Sequence, residues 1–206
     1  MRPICRWTQT FTRLAALLLL ATPALSLAGP MGPTAMGGVV ATLVQTQGDT
    51  RFSSLVGPTV RAGFEFGSRF NHELTFQLTH AGGDAFAGGM VAHANLTTYA
   101  LGYRFGVDIL KKEGFSPYVG VGVNLGLADI SASASSGGFT SSAAGRAPFL
   151  ELNAALGARY TFDNGLGIRA EMAGSTYGGF FALQPSIGLA YTFGRPSKPA
   201  PPPEGH

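Results

Sequence analysis

Nine charged residues sit inside stretches that otherwise alternate between large apolar and small side chains: Arg61, Glu65, Glu73, Arg104, Asp108, Glu151, Arg159, Arg169 and Glu171. In "FLELNAALGARYTF" (149–162), Leu150, Leu152, Ala154, Leu156, Ala158, Tyr160 and Phe162 take every second position. Glu151, Asn153 and Arg159 lie between them, and Arg169 and Glu171 follow in the same phase beyond Asp163-Asn164-Gly165. Arginines and carboxylates gathered on one face can do two kinds of chemistry. They can neutralise one another in a buried network, or they can line a path for ions or relay protons. An isolated ion in a low-dielectric space is very costly, so charges of both signs enclosed together should pair. The expectation is a structural network that plugs the enclosed space.

Other motifs carry less. Gly120, Gly122 and Gly126 fail the GxGxxG spacing and precede no helix, so they do not make a dinucleotide loop. Gly174-Ser175-Thr176-Tyr177-Gly178 has Thr where a nucleophile elbow needs Ser. No cofactor or metal is expected, and no catalytic residue is assigned. The chain's one cysteine, Cys5, falls in a segment expected to be removed.

That segment is residues 1–28. Arg2, Arg6 and Arg13 give a basic start, Leu14 to Ala21 an apolar core, and Ser26-Leu27-Ala28 small residues at the positions a signal peptidase reads. The apolar run is too short to span a bilayer as a helix, which takes about 20 residues. Cleavage near Ala28 leaves 11 basic and 11 acidic residues. The net charge of +3 therefore belongs to the leader and gives no reason to expect a nucleic-acid partner.

The rest of the chain shows no sustained helical period. Its 30 glycines and its many Thr, Val, Phe and Tyr residues indicate strands. Period-2 alternation predicts eight: 36–47 (the weakest, its phase blurred by Val39 and Val40), 58–67, 73–81, 92–109, 116–130, 148–162, 166–173 and 182–193. Three connections are short, at 68–72, 111–114 and 163–165, where Asn-Gly marks a hairpin. Four are longer, near 48–57, 82–91, 131–147 and 174–181. Long and short connections alternating between eight antiparallel strands describe an all-β, up-and-down barrel over 29–194. Residues 195–206 are Pro-rich and are expected to form an unfolded tail.

Charge placement decides which face meets what. Tyr99, Leu101, Tyr103, Phe105, Val107 and Ile109 oppose Ala100, Gly102, Arg104, Gly106 and Asp108; Val119 to Leu127 oppose Gly120, Gly122, Asn124 and Gly126. A soluble, lipocalin-like barrel would have to bury the large residues in a narrow bore and show mostly glycine to water. A transmembrane barrel puts bulky residues against lipid and small or charged ones inside, which fits an eight-stranded bore with room only for side chains. Asp129 falls in the apolar phase and is read as strand already clear of lipid. Phe64, Phe66, Tyr103, Phe105, Phe115, Tyr118, Tyr160, Phe162, Tyr191 and Phe193 cluster near the short turns as an interfacial girdle.

"SPYVGVGVNLGLADI", "LELNAALGARYTF" and the closing "PSIGLAYTF" resemble the small outer-membrane β-barrel family of the OmpA, OmpX and OmpW type. The resemblance covers 35–193 and implies the outer membrane of a Gram-negative bacterium. It implies contact with outer-membrane lipid and lipopolysaccharide, and a C-terminal strand whose Tyr191 and Phe193 the barrel assembly machinery reads. Short turns would face the periplasm and long loops the exterior, where they could meet an extracellular ligand or surface. Thirteen residues follow Phe193, too few for a peptidoglycan-binding domain. The function expected is a non-enzymatic structural or surface-interaction role carried by the outer loops. The alternative is a narrow transporter of small or hydrophobic molecules, as in OmpW. Some similar barrels hydrolyse lipid with a Ser-His pair, and His80, His93 and the serines of 131–142 could meet at the rim, but no His-x-Ser pairing occurs and the required third group is absent nearby, so a lipid-modifying enzyme ranks third. His72 is read in a short turn, and Tyr177, Phe180 and Phe181 as interface anchors.

Overall fold

The computed structural model describes residues 32–45, 52–67, 70–87, 90–110, 114–136, 139–177 and 180–193. Eight strands run in chain order: β1 (Gly32–Gln45), β2 (Phe52–Phe66), β3 (Phe70–Ala87), β4 (Met90–Asp108), β5 (Phe115–Ser136), β6 (Phe139–Thr161), β7 (Leu166–Tyr177) and β8 (Phe180–Thr192). Each pairs antiparallel with its sequence neighbours, and β1 closes on β8 from Thr34↔Thr192 to Gln45↔Phe181. The closed eight-stranded meander is the architecture that the alternation predicts. Closure gives each strand in the lipid-facing zone a partner on both sides, which a bilayer demands.

The short turns form because glycine supplies the φ they need. Gly67, Gly114 and Gly165 take φ of 108°, 77° and 83°, and no other residue type among those described has positive φ. In the last turn the Phe162 amide donates to the Leu166 carbonyl (2.7 Å), and the Leu166 amide donates to Asn164 Oδ1 (3.1 Å). Asn164 itself stays at negative φ, so this is a three-residue loop with a left-handed Gly rather than a two-residue Asn-Gly turn.

The expected long connections are largely strand. β3 continues to Ala87 instead of ending at 81, β5 to Ser136 instead of 130, and β6 starts at Phe139 instead of 148. β2 begins at Phe52 and β7 ends at Tyr177, so little of 48–57 or 174–181 remains as connection. The ladder is made by backbone groups, and Ser, Ala and Gly join it without any apolar alternation to announce them. His72 accordingly lies in β3 rather than in a turn. The leader, its cleavage site and the Pro-rich tail lie outside the described residues.

Outward positions carry the large apolar side chains: Val60, Phe64, Leu74, Phe76, Leu101, Val121, Leu125, Leu152, Leu156, Ile187 and Leu189 are all exposed on the barrel's outside. From Phe115 to Leu127, at about 3.3 Å per residue and a tilt near 45°, the outward phase of β5 covers roughly 28 Å, a hydrocarbon core. Inward positions are small or polar. At Gly126 a Cβ would stand 2.1 Å from the Tyr99 carbonyl oxygen and 2.9 Å from the Phe149 ring, so the bore there has no space for one.

Candidate functional site

The charged residues of β2, β3, β4 and β7 converge in mid-bore. Arg169 lies across Glu73 with two parallel bonds, Nη1 to Oε1 and Nη2 to Oε2, both 3.0 Å. Its Nη2 also donates to Glu171 Oε2 (3.1 Å), its Nε donates to the Tyr118 hydroxyl (2.7 Å), and its guanidinium carbon sits 5.0 Å from the Tyr118 ring centre. Tyr118 in turn donates to Glu171 Oε2 (2.6 Å), which also accepts from Arg104 Nη1 (2.5 Å). Arg61 completes the cluster at 3.9 Å from Glu73 and 4.0 Å from Glu171. Three guanidinium groups thus share two buried carboxylates. Bidentate, charge-assisted bonds of this kind hold a fixed geometry as well as a charge balance.

A second cluster lies one level nearer the short turns. Arg159 donates to both oxygens of Asp108 (3.0 and 2.7 Å) and to Glu65, which also accepts from Asn71 Nδ2 (2.5 Å). Here one cation meets two anions, so the adjoining clusters carry opposite unit excesses. Glu151 belongs to neither. Its carboxylate accepts from Asn124 Nδ2 (2.8 Å), and among the described residues no arginine lies within ion-pair distance. The register explains this: Glu151 faces Asn124 while Arg104 faces Gly122, so Glu151 sits one inward row farther out.

Tyr118 is the residue the alternation misplaces. Read as part of the girdle, it is an inward residue, 5% exposed, in phase with Gly120 and Gly122. Its position two residues before Gly120 was the available signal. Tyr177 is likewise turned in, accepting from Gln184 Nε2 and packing its ring 5.8 Å from Phe149. The voids left between these side chains are about 10, 20 and 30 Å³. Each has room for one or two waters. Tyr191 and Phe193 lie on the outside of the barrel at the end of β8, their rings edge to face at 4.7 Å.

Above the apolar band the strands change character. His80↔Thr97, Thr97↔Asp129 and Asp129↔Arg146 form one outward row across β3 to β6. His80 Nδ1 bonds Thr97 Oγ1 at 2.8 Å, and Arg146 grips both oxygens of Asp129 at 2.5 and 2.9 Å. Arg146, which falls in an expected loop, is the partner that Asp129 lacked in the sequence reading. The next outward positions are Asn95, Ser131, Asp84, His93, Ser133 and Ser142. Inward, the same strands turn apolar, with Ala81 and Ala94, beside Leu55 of β2, packed against Leu96 and Ala132. The rim also corrects one expectation, since the third group read as absent from the sequence is present. Asp84 Oδ1 lies 3.7 Å from His93 Nδ1, and His93 stands directly opposite Ser133.

The chain matches the model of the outer membrane protein beta-barrel domain over residues 12–193. It belongs to that family. Among solved structures it is similar to Neisserial surface protein A, with a TM-score of 0.55 and 14% identity over 80% of this chain and 99% of that one. It is also similar to Ail, the attachment invasion locus protein of Yersinia pestis, with a TM-score of 0.50 and 16% identity over 79% and 99%. Both are likenesses of fold. A search of curated proteins finds no match. Membership places this barrel in the outer membrane of Gram-negative bacteria.

Proposed function

We propose that this barrel is a sealed outer-membrane protein that works through the surface it raises above the outer leaflet, in a structural or surface-interaction role. The observation that supports this most is the filling of the bore. Arg61, Arg104 and Arg169 with Glu73 and Glu171, and Arg159 with Glu65 and Asp108, occupy the lumen, and the voids described among them are about 10 to 30 Å³, room for one or two waters each. In planar bilayers the protein should give no steady large conductance; sustained porin-sized currents would overturn the sealed bore and promote a transporter. In this reading the apolar belt meets membrane lipid and lipopolysaccharide. Tyr191 and Phe193 on the last strand are what the assembly machinery recognises, and the chain acts without catalysis.

A lipid-modifying activity is favoured by one observation, the row Asp84, His93 and Ser133. Carboxylate, imidazole and hydroxyl in that order form the arrangement by which a serine is activated. Against it, the backbone amides flanking Ser133 on both sides serve ladder pairing, and a tetrahedral oxyanion needs free donors. A fluorophosphonate probe decides between them: the sealed, non-catalytic barrel stays unlabelled, whereas labelling lost in Ser133→Ala would establish the enzyme.

A further inference from the structure

Glu151 is the carboxylate that the arginines leave out. It is 5% exposed, and its Oε2 accepts from Asn124 Nδ2 (2.8 Å), but among the described residues no cation stands within ion-pair distance of it. The bore as a whole is short of one positive charge. Four arginines, Arg61, Arg104, Arg159 and Arg169, face five carboxylates, Glu65, Glu73, Asp108, Glu151 and Glu171. The surplus cation of the mid-bore cluster and the surplus anion around Arg159 balance each other, which leaves Glu151. A buried carboxylate without a counter-charge is very costly.

The surroundings of Glu151 show what could supply that charge. The residue borders two voids, one of about 20 Å³ toward Arg61 and Arg104 and one of about 30 Å³ toward Leu96. Their polar lining presents mainly oxygen. Gln77 commits its Nε2 to Thr79 Oγ1 (3.1 Å) and Gln184 commits its own to the Tyr177 hydroxyl, so the carbonyl ends of both amides are the ends left over. The hydroxyls of Thr42, Thr79 and Thr98 belong to residues lining the upper void. Asn153, whose Oδ1 is buried without a donor, borders the lower one. Carbonyl and hydroxyl oxygens around one carboxylate are the ligands of a hard cation. A single alkali ion matches the single missing charge. A divalent ion would overshoot it by one.

We infer that the outer half of the bore holds one alkali cation, sodium or potassium, beside Glu151, coordinated by that carboxylate and by side-chain oxygens of Gln77, Gln184 and the threonines of the upper void. The ion is held rather than passed. On its outer side Leu96 joins Leu55, Ala81, Ala94 and Ala132 in an apolar cap, and on its inner side the surplus arginine of mid-bore repels a cation. The inference concerns the bore alone and does not rest on the role of the outer surface.

The test unfolds the full protein with urea from phosphatidylcholine vesicles in the chloride of sodium, potassium or N-methyl-D-glucamine. Equal ionic strength keeps screening the same. Sodium or potassium should raise the midpoint above that in N-methyl-D-glucamine, which is too large for the void. Beyond half-saturation, each tenfold rise in the small cation should multiply the folded-to-unfolded ratio by about ten. Glu151→Gln, which keeps the shape and removes the charge, should unfold at one midpoint in all three salts. Equal midpoints for the unsubstituted protein would overturn the inference, and so would a cation dependence that survives in Glu151→Gln. Heat-modified mobility on gels checks that the variant folds. If it does not, crystals of the unsubstituted protein grown in rubidium chloride decide: anomalous scattering should place one rubidium ion in contact with Glu151, and no peak there would sink the site. An infrared band of a protonated carboxyl at Glu151 would put a proton in the cation's place and overturn it too.

Discussion

Four of the eight strands that build the belt within the membrane, β3 to β6, continue into the wall above it with their faces exchanged. Below the row His80, Thr97, Asp129 and Arg146, the outside shows Leu78, Tyr99, Leu101, Leu125 and Leu127, and the inside carries ions and amides. Above it, the outside shows Asp84, His93, Asn95, Ser131 and Ser133, and the inside is Ala81, Ala94, Leu96 and Ala132. The backbone register does not change across this row. What changes is the medium, lipid outside the lower part and water outside the upper. The exchange of faces therefore marks the outer boundary of the membrane, more sharply than any loop.

The comparison breaks first if the lower interior is not energetically tied together. Arg169→Met would take from Glu73 its closest partner and from Glu171 one of its two bonded arginines, at a cost of about 3–5 kcal/mol, read as a lower urea midpoint for unfolding from phospholipid. Arg146→Ala, which cuts an exposed pair on the wall, should leave that midpoint unchanged. Equal effects would mean that the two regions are not distinguished by burial.

The outer faces give the next largest difference. Leu125→Arg, near mid-belt, should destabilise by about 2–4 kcal/mol, while Ser133→Arg, in the same phase of the same strand but above the boundary, should cost nothing measurable. Packing sharpens the contrast further. Gly126→Val meets the Tyr99 carbonyl and should cost about 1–3 kcal/mol, whereas Gly145→Val enters open space and should be neutral.

Acid should produce the smallest effect. The Arg146 hydrogen bond holds the Asp129 carboxyl, above the lipid, below its ordinary range. A depressed folded value means that the pair's contribution is present above the unfolded pKa, about 3.9, and is lost as pH falls through the folded one. A carbon-detected NMR titration should find Asp129 still ionised at the pH where a free aspartate is half protonated.

The lower region was legible in the sequence because lipid outside and a narrow bore inside force period-2 alternation. That pattern yielded the closed eight-stranded fold, and it set Arg104, Asp108, Glu151 and Arg159 in the phase opposite Leu101 and Leu156. Which arginine meets which carboxylate was not legible, since partners such as Arg169 and Glu73 are 96 residues apart and depend on closure. The upper wall was missed for a different reason. In "ADISASASSGGFTSSAAGRAP" both phases hold small residues, so no row of large apolar side chains marks a face beyond Ile130, and a strand reads as a loop. Asp129, a charge in the apolar phase of Leu125 and Leu127, was the one signal there, and it pointed to the boundary without naming Arg146.

The exchange of faces is tested most directly with one tryptophan at a time in residues 29–206, which contain none. Leu156→Trp and Ser142→Trp both lie on β6 in the outward phase, one within the belt and one above the boundary. In liposomes of brominated lipid, Leu156→Trp should be strongly quenched and Ser142→Trp hardly at all. Equal quenching of the two would place the wall in lipid and contradict the boundary, and no quenching of Leu156→Trp would remove the belt from the membrane altogether.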